Sequence, residues 1–328
     1  MSKSTQACLA VFLSLPALAF TQQTVAPATP AAQAEAVPAP GGGDGRIKVD
    51  VVVTDKSGKP VSGLDLKDFT LLDNNQPAKI VSFHASDGAG QGGDPPVEVI
   101  LLIDTVNLDF KYVASVRQEM EKFLSQNGGH LAHPVSLFVL TNLGLDAARA
   151  PTTDGNGLAA EVRQLDNKLR TVGPSEGVNG AIERFYASIK VLATIAQSEA
   201  NKPGRKLLIW ASSGWPMLES VNVEISPKAQ QQNFDSIVGL STMLREARLS
   251  VYSISSTDSG VNATAYRGFL KGVKSAGKSS PDNLALKVLA IQSAGRVLGP
   301  NNDLTAQIDS CVEDASSFYT LSPTSITI

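Results

Sequence analysis

Val97-Glu98-Val99-Ile100-Leu101-Leu102-Ile103-Asp104-Thr105-Val106-Asn107 is a short, nearly continuous apolar run that ends in a carboxylate, and a helical pattern follows it. That is how a buried parallel strand delivers a side chain to the carboxyl edge of a sheet. Open α/β sheets place their ligand sites at that edge. Asp104 is therefore the first candidate functional residue.

Outward from this strand, residues 96–321 alternate strand and helix patterns. Val97–Ile103, Val135–Thr141, Arg205–Ala211, Leu249–Ser255, Arg296–Leu298 and Ser317–Leu321 read as strands. The first helix carries Phe110, Val113, Val116, Met120, Phe123 and Leu124 at spacings of three and four. A second, over 176–199, carries Ile182, Phe185, Ile189, Leu192 and Ile195. Phe234, Ile237, Val238, Met243, Leu244 and Ala247 mark a third, Leu284, Leu286, Val288, Leu289 and Ile291 a fourth, and Leu304, Ile308 and Val312 a fifth. Repeated βα units predict an α/β fold, a doubly wound and mostly parallel sheet covered on both faces.

Before it, residues 46–86 predict a small β unit. Ile47, Val49, Val51 and Val53 follow the period of a half-buried strand, Asp55 to Pro60 has turn chemistry, and Phe69–Leu72 and Ala78–Phe83 are further strand candidates. So short a unit has a thin core, which predicts that it packs on another part of the chain.

Residues 20–45 are rich in Ala, Pro and Gly and read as a flexible linker. In residues 1–19, Lys3 precedes an apolar run that starts at Ala7 and ends in Ala17-Leu18-Ala19. This predicts a secretory signal peptide cut after Ala19, and hence export to the periplasm, the cell envelope or the outside. The run is short and Pro16 interrupts it, so no stable membrane span is expected after cleavage. Cleavage leaves Cys311 without a cysteine to pair with. The 328 residues carry a net charge of −3, which gives no electrostatic footprint for nucleic acid.

Val99-Ile100-Leu101-Leu102-Ile103-Asp104 resembles the first strand of a von Willebrand factor type A (VWFA) domain. Pro203-Gly204-Arg205-Lys206-Leu207-Leu208-Ile209-Trp210-Ala211-Ser212-Ser213-Gly214-Trp215-Pro216 is similar to the central-strand signature of the VWFA-related domain proteins of Acidobacteria. Residues 53–64 with Asp68-Phe69, residues 247–254 and residues 312–321 resemble other segments of that subfamily. The resemblance implies an exported α/β domain with a Rossmann-like sheet and implies no particular activity. Subfamily members continue past the Tyr-x-Leu stretch with further β sequence. Here Leu321 leads into residues 322–328, read as a tail, which predicts a sheet edge or β unit open to association.

In better-studied A domains the resemblance implies a metal-ion-dependent adhesion site. It opens D-x-S-x-S, adds a Thr from a later loop and closes with an Asp after the central strand, because Mg²⁺ takes about six hard oxygen ligands. Asp104 matches the first Asp. Val106 and Leu108 stand at the two Ser positions and offer no oxygen. Ser212 or Ser213 replaces the closing Asp, and neither Thr171 nor Ser175 aligns with the Thr. The motif is therefore degraded and no cofactor is expected. Asp104, Asn107 and Ser212 form an alternative oxygen set for Mg²⁺ or Ca²⁺, and capping or local backbone bonding is the simpler role of Asp104. Asp154 is read as the cap of the next helix.

Trp215 reads either as an aromatic binding anchor at this edge or as a side chain packed under the loop. No Ser nucleophile elbow is present, and His130 and His133 precede a strand, at the end opposite Asp104. The expected function is a non-enzymatic, adhesion-type protein-binding module; the alternatives are a cation-dependent adhesion module built around Asp104 and a hydrolase with scattered residues. The contact surface of the binding module is placed at Asp104, Asn107, Asp109, Ser212, Ser213 and Trp215.

Overall fold

The computed structural model describes residues 48–73, 76–86, 95–147, 150–165, 177–212, 214, 226–256 and 285–323. The expected signal peptide and linker, together with Thr171, Ser175, Ser213 and Trp215, lie outside the described residues. The strands are β1 (Val49–Val51), β2 (Leu71–Asp73), β3 (Gln76–Ala78), β4 (Ile80–Ser86), β5 (Glu98–Asp104), β6 (His130–Thr141), β7 (Gly144–Ala147), β8 (Thr152–Asp154), β9 (Lys206–Ala211), β10 (Leu249–Ile254) and β11 (Phe318–Pro323). The helices are α1 (Phe110–Leu124), α2 (Gly155–Gln164), α3 (Gly177–Ala200), α4 (Pro227–Glu246), α5 (Ala285–Gln292) and α6 (Leu304–Glu313).

The main sheet runs β10-β9-β5-β6-β7, with β8 also on β6. Strands β10, β9, β5 and β6 are parallel, and β7 and β8 are antiparallel to β6. The chain passes from β5 through α1 to β6, then returns to β9 on the other side of β5 and continues through α4 to β10. This is the doubly wound α/β order, and its direction reverses between β5 and β9.

Alternation along β5 sorts the core. Val99, Leu101 and Ile103 pack with Val113, Val116 and Met120 of α1, Leu158 of α2 and Ile308 of α6. Ile100 and Leu102 pack with Leu192 and Ile195 of α3, Phe234 and Ile237 of α4, and Val288 and Leu289 of α5. Each such fully buried side chain contributes about 2 kcal/mol. Phe110 departs from the predicted face. It is the first residue of α1, ahead of the buried Val113–Leu124 row, and is 64% exposed.

Two expected strands behave differently from their pattern. Arg296–Leu298 makes a single parallel bridge, Ser253 to Val297. The Ser253 N–H donates to the Arg296 carbonyl at 2.9 Å and the Leu298 N–H to the Ser253 carbonyl at 3.0 Å, so this segment covers the outer edge of β10. Ser317–Leu321 does form a strand, but β11 leaves the main sheet. It is the central strand of an antiparallel sheet, β1-β11-β4, with Leu321 opposite both Val49 and Phe83.

The physical reason is that the small β unit lacks a centre, which β11 supplies. The Tyr319 ring packs 5.0 Å from Phe69 and 5.8 Å from Phe83. Its hydroxyl donates to the Val61 carbonyl at 2.8 Å and accepts from the Leu64 N–H at 3.1 Å. Asp50 in β1 accepts two guanidinium bonds from Arg248, each 2.9 Å, and the Thr320 hydroxyl at 2.7 Å. Of the expected tail, Ser322 and Pro323 belong to β11.

At the amino edge of the main sheet, Lys206 is buried where α3 and α4 end. Its ammonium donates to the carbonyls of Glu199, Lys202 and Ala247, acceptors that a helix C-terminus leaves unpaired. Burial, partly opposed by Glu199, lowers its pKa from 10.5 to about 8. Between about pH 8 and 10.5 the unfolded chain thus holds more of this proton than the native one, so the group makes stability rise with pH in that window. Unfolding free energies measured across it are expected to rise less steeply in Lys206→Met than in wild type; equal slopes would contradict the assignment.

Candidate functional site

Asp104 ends β5 at the point where the strand order reverses, and it is fully buried. Its Oδ1 accepts the backbone N–H groups of Val106 at 3.0 Å and Asn107 at 2.9 Å. This is a local turn that a short carboxylate side chain makes readily. Its Oδ2 accepts Asn107 Nδ2 at 2.8 Å and Trp210 Nε1 at 3.0 Å. Four donors thus meet the four lone-pair positions of a carboxylate.

Trp210 can reach because it stands opposite Leu102 in the β5–β9 register, on the face that Asp104 also uses. Asn107 Nδ2 also donates to Ser188 Oγ on α3 at 3.0 Å, which ties the helix to the loop.

The other predicted residues are placed less coherently. Ser212 follows β9 and is buried. Its N–H donates to the Ile254 carbonyl at 3.1 Å, and its hydroxyl accepts from the Gly214 N–H at 3.1 Å. Asp109 is exposed at the start of α1, where its backbone carbonyl accepts from Tyr112 and Val113 while its side chain makes no cap bond. Leu108 is buried in the core on the α1 side of the sheet, and Val106 packs against the core on the other side. Asp154 caps α2, with Oδ1 accepting the Gly157 N–H at 2.9 Å.

Trp210 and Ser188 are the residues that sequence reasoning missed. Trp210 left a readable signal, since a tryptophan inside an aliphatic strand needs a buried acceptor for its N–H. Ser188 left none.

A set of exposed apolar side chains surrounds the same edge. Phe110 begins α1 beyond the Asp104 loop. Leu143, 95% exposed, sits in the turn between β6 and β7. Ile182 and Tyr186 lie on α3 on the N-terminal side of Ser188. Because the C-terminal end of α3 reaches Lys206 at the amino edge, its N-terminal part points to the carboxyl edge.

The histidines belong to β6 itself rather than to a segment before it. The register places Asp104 beside Leu140 and Val99 beside Val135, so both histidines lie at the opposite end. His133 Nε2 is 3.1 Å from Ser316 Oγ. Its Nδ1 has no partner among the described residues. Among the described residues no three His, Cys, Asp or Glu side chains converge as a metal cluster, and no helix is long and apolar enough to cross a membrane.

No family model and no curated protein sequence matches the chain. Among solved structures it is similar to the crystal structure of the TFIIH p34 N-terminal domain, at 12% identity and a TM-score of 0.32, over 65% of this chain and 96% of that one. So distant a likeness carries no argument about function, and the architecture stands on the sheet order itself: a doubly wound, mostly parallel α/β fold with an added antiparallel sheet.

Proposed function

We propose that the chain is an exported, non-enzymatic protein-binding module of the VWFA-related kind, and that it docks its partner at the carboxyl edge of the main sheet without a bridging cation. The observation that carries this reading is the exposure of Phe110, Leu143, Ile182 and Tyr186 around that edge, while Asp104 and Ser212 point into the protein. Aromatic side chains of this kind supply much of the energy of protein interfaces. The polar candidates then act as the frame that shapes the loop, and Asp109 contributes to the rim.

Two further features support the reading. The bonding of both Asp104 oxygens to N–H donors leaves that carboxylate engaged, which favours a contact without metal. Export rests on the apolar N-terminal run and its Ala17-Leu18-Ala19 site.

The test is capture of envelope proteins by the mature chain, compared with Phe110→Asp/Tyr186→Asp. The double variant is expected to lose at least about tenfold of the captured partner, and chelator is expected to change nothing. Undiminished capture by the variant would move the interface elsewhere. A rise of the unfolding midpoint in millimolar Mg²⁺, Mn²⁺ or Ca²⁺ would instead favour a cation-dependent module built on Asp104, Asn107 and Ser212.

A further inference from the structure

His133 lies on the β6 face that packs against α1, α2 and α6, between the buried Leu131 and Val135, and is itself 6% exposed. Its Nε2 meets the hydroxyl of Ser316, an exposed residue in the link between α6 and β11. Two residues later β11 begins, and β11 is the strand that holds β1 and β4. The Nδ1 atom is buried without a partner among the described residues.

A neutral ring suits this setting. In the tautomer with its hydrogen on Nε2 the ring donates to Ser316 and Nδ1 keeps a bare lone pair, which is tolerated more readily than an orphaned N–H. A second proton would sit on Nδ1, where no acceptor lies among the described residues, and would place an unpaired charge in the core.

We propose that His133 is an acid-sensitive latch that fastens β11, and through it the small β unit, to the main sheet. Protonation is relieved by water reaching the ring, which requires the Ser316 link to lift.

The charged groups on the surrounding elements are committed elsewhere. Asp314, on the same link, pairs with Arg296 at 2.8 Å, and Glu313 is exposed. Arg205, before β9, donates to the Asp314 carbonyl and the Tyr252 hydroxyl. Asp309 of α6 accepts from Gln126, and Arg117 of α1 donates to the Val162 carbonyl at the end of α2. His130 is exposed on β6, where it stands opposite Asp154, and His84 is exposed on β4 opposite Thr320. Burial alone lowers the His133 pKa below 6.5. The unlatched state therefore binds the extra proton as pH falls below 6.5, and the latched state loses stability in that direction.

Amide hydrogen exchange of the full chain at pH 7.5 and 5.0, corrected for intrinsic rates, tests this in wild type and His133→Gln. The glutamine keeps an N–H donor for Ser316 and cannot titrate. In wild type, opening of β11, β1 and β4 is expected to increase about tenfold at pH 5.0 relative to β5 and β9, and the variant is expected to show no such increase. A uniform change across both sheets overturns the proposal. So does acid loosening that persists in His133→Gln. If the variant does not fold, an NMR titration of wild type decides: β11 amide signals that shift together with the His133 ring, with a midpoint below 6.5, support the latch, and a ring that titrates without moving them overturns it.

Discussion

Asp104→Ala is expected to lower the unfolding free energy by about 4 kcal/mol or more, the largest effect of any polar substitution at the sheet edge. The alanine leaves four donors without their acceptor: the N–H groups of Val106 and Asn107, the Asn107 amide and the Trp210 indole. Each buried donor left unmade costs about 1–3 kcal/mol, and these faced a charge-bearing group. The loop and α3 are coupled through Asn107 and Ser188, so the loss spreads beyond one turn. Asp104→Asn is expected to cost roughly half as much, because one oxygen remains while the new amide faces donors. Urea unfolding followed by far-UV circular dichroism measures both. An alanine variant within about 1 kcal/mol of wild type would mean that water replaces the carboxylate, and that the site is less closed than its burial indicates.

The second large effect is expected at Gly295, where alanine should cost about 3 kcal/mol. A Cβ there would lie 1.8 Å from the Val251 carbonyl oxygen and 2.6 Å from its carbon. These are backbone atoms of β10 and cannot rotate away. The segment around Gly295 is held to the strand by Ser293 Oγ, which accepts the Val251 N–H at 2.9 Å, and by the Ser253 to Val297 bridge. Pushing it off exposes the outer edge of β10, so association at high concentration should accompany the loss. Gly239→Ala is the matched control, since nothing lies within 4 Å of its Cβ on the exposed side of α4. It is expected to be neutral or stabilising by up to about 1 kcal/mol. Equal stabilities for the two variants would show that the Val251 approach is not close in solution.

Much of this architecture was legible in local patterns. The run ending at Asp104 announced a buried strand and its carboxyl end, because a parallel strand covered on both faces must be apolar nearly throughout. The helical spacing of Val113, Val116 and Met120 named the face that α1 buries. Asp154 announced a helix cap through its residue type and position. The β-branched residues around Val49 and the strand candidates Phe69–Leu72 and Ala78–Phe83 marked a β unit too thin to stand alone. The strands β7 and β8 were missed, since four- and three-residue segments carry too little periodicity to read.

By itself the sequence determined the α/β class, the order of the central elements, and the position of Asp104 at the end of a strand. Those features depend on neighbours two to four residues apart, where side-chain periodicity acts. Only the tertiary structure decided that β11 pairs with β1 and β4, that Trp210, 106 positions away, donates to Asp104, and that Asn107 reaches Ser188, 81 positions away. A strand pattern states which face is apolar but not which distant backbone completes its hydrogen bonds, and a buried carboxylate states that it needs donors but not where they come from.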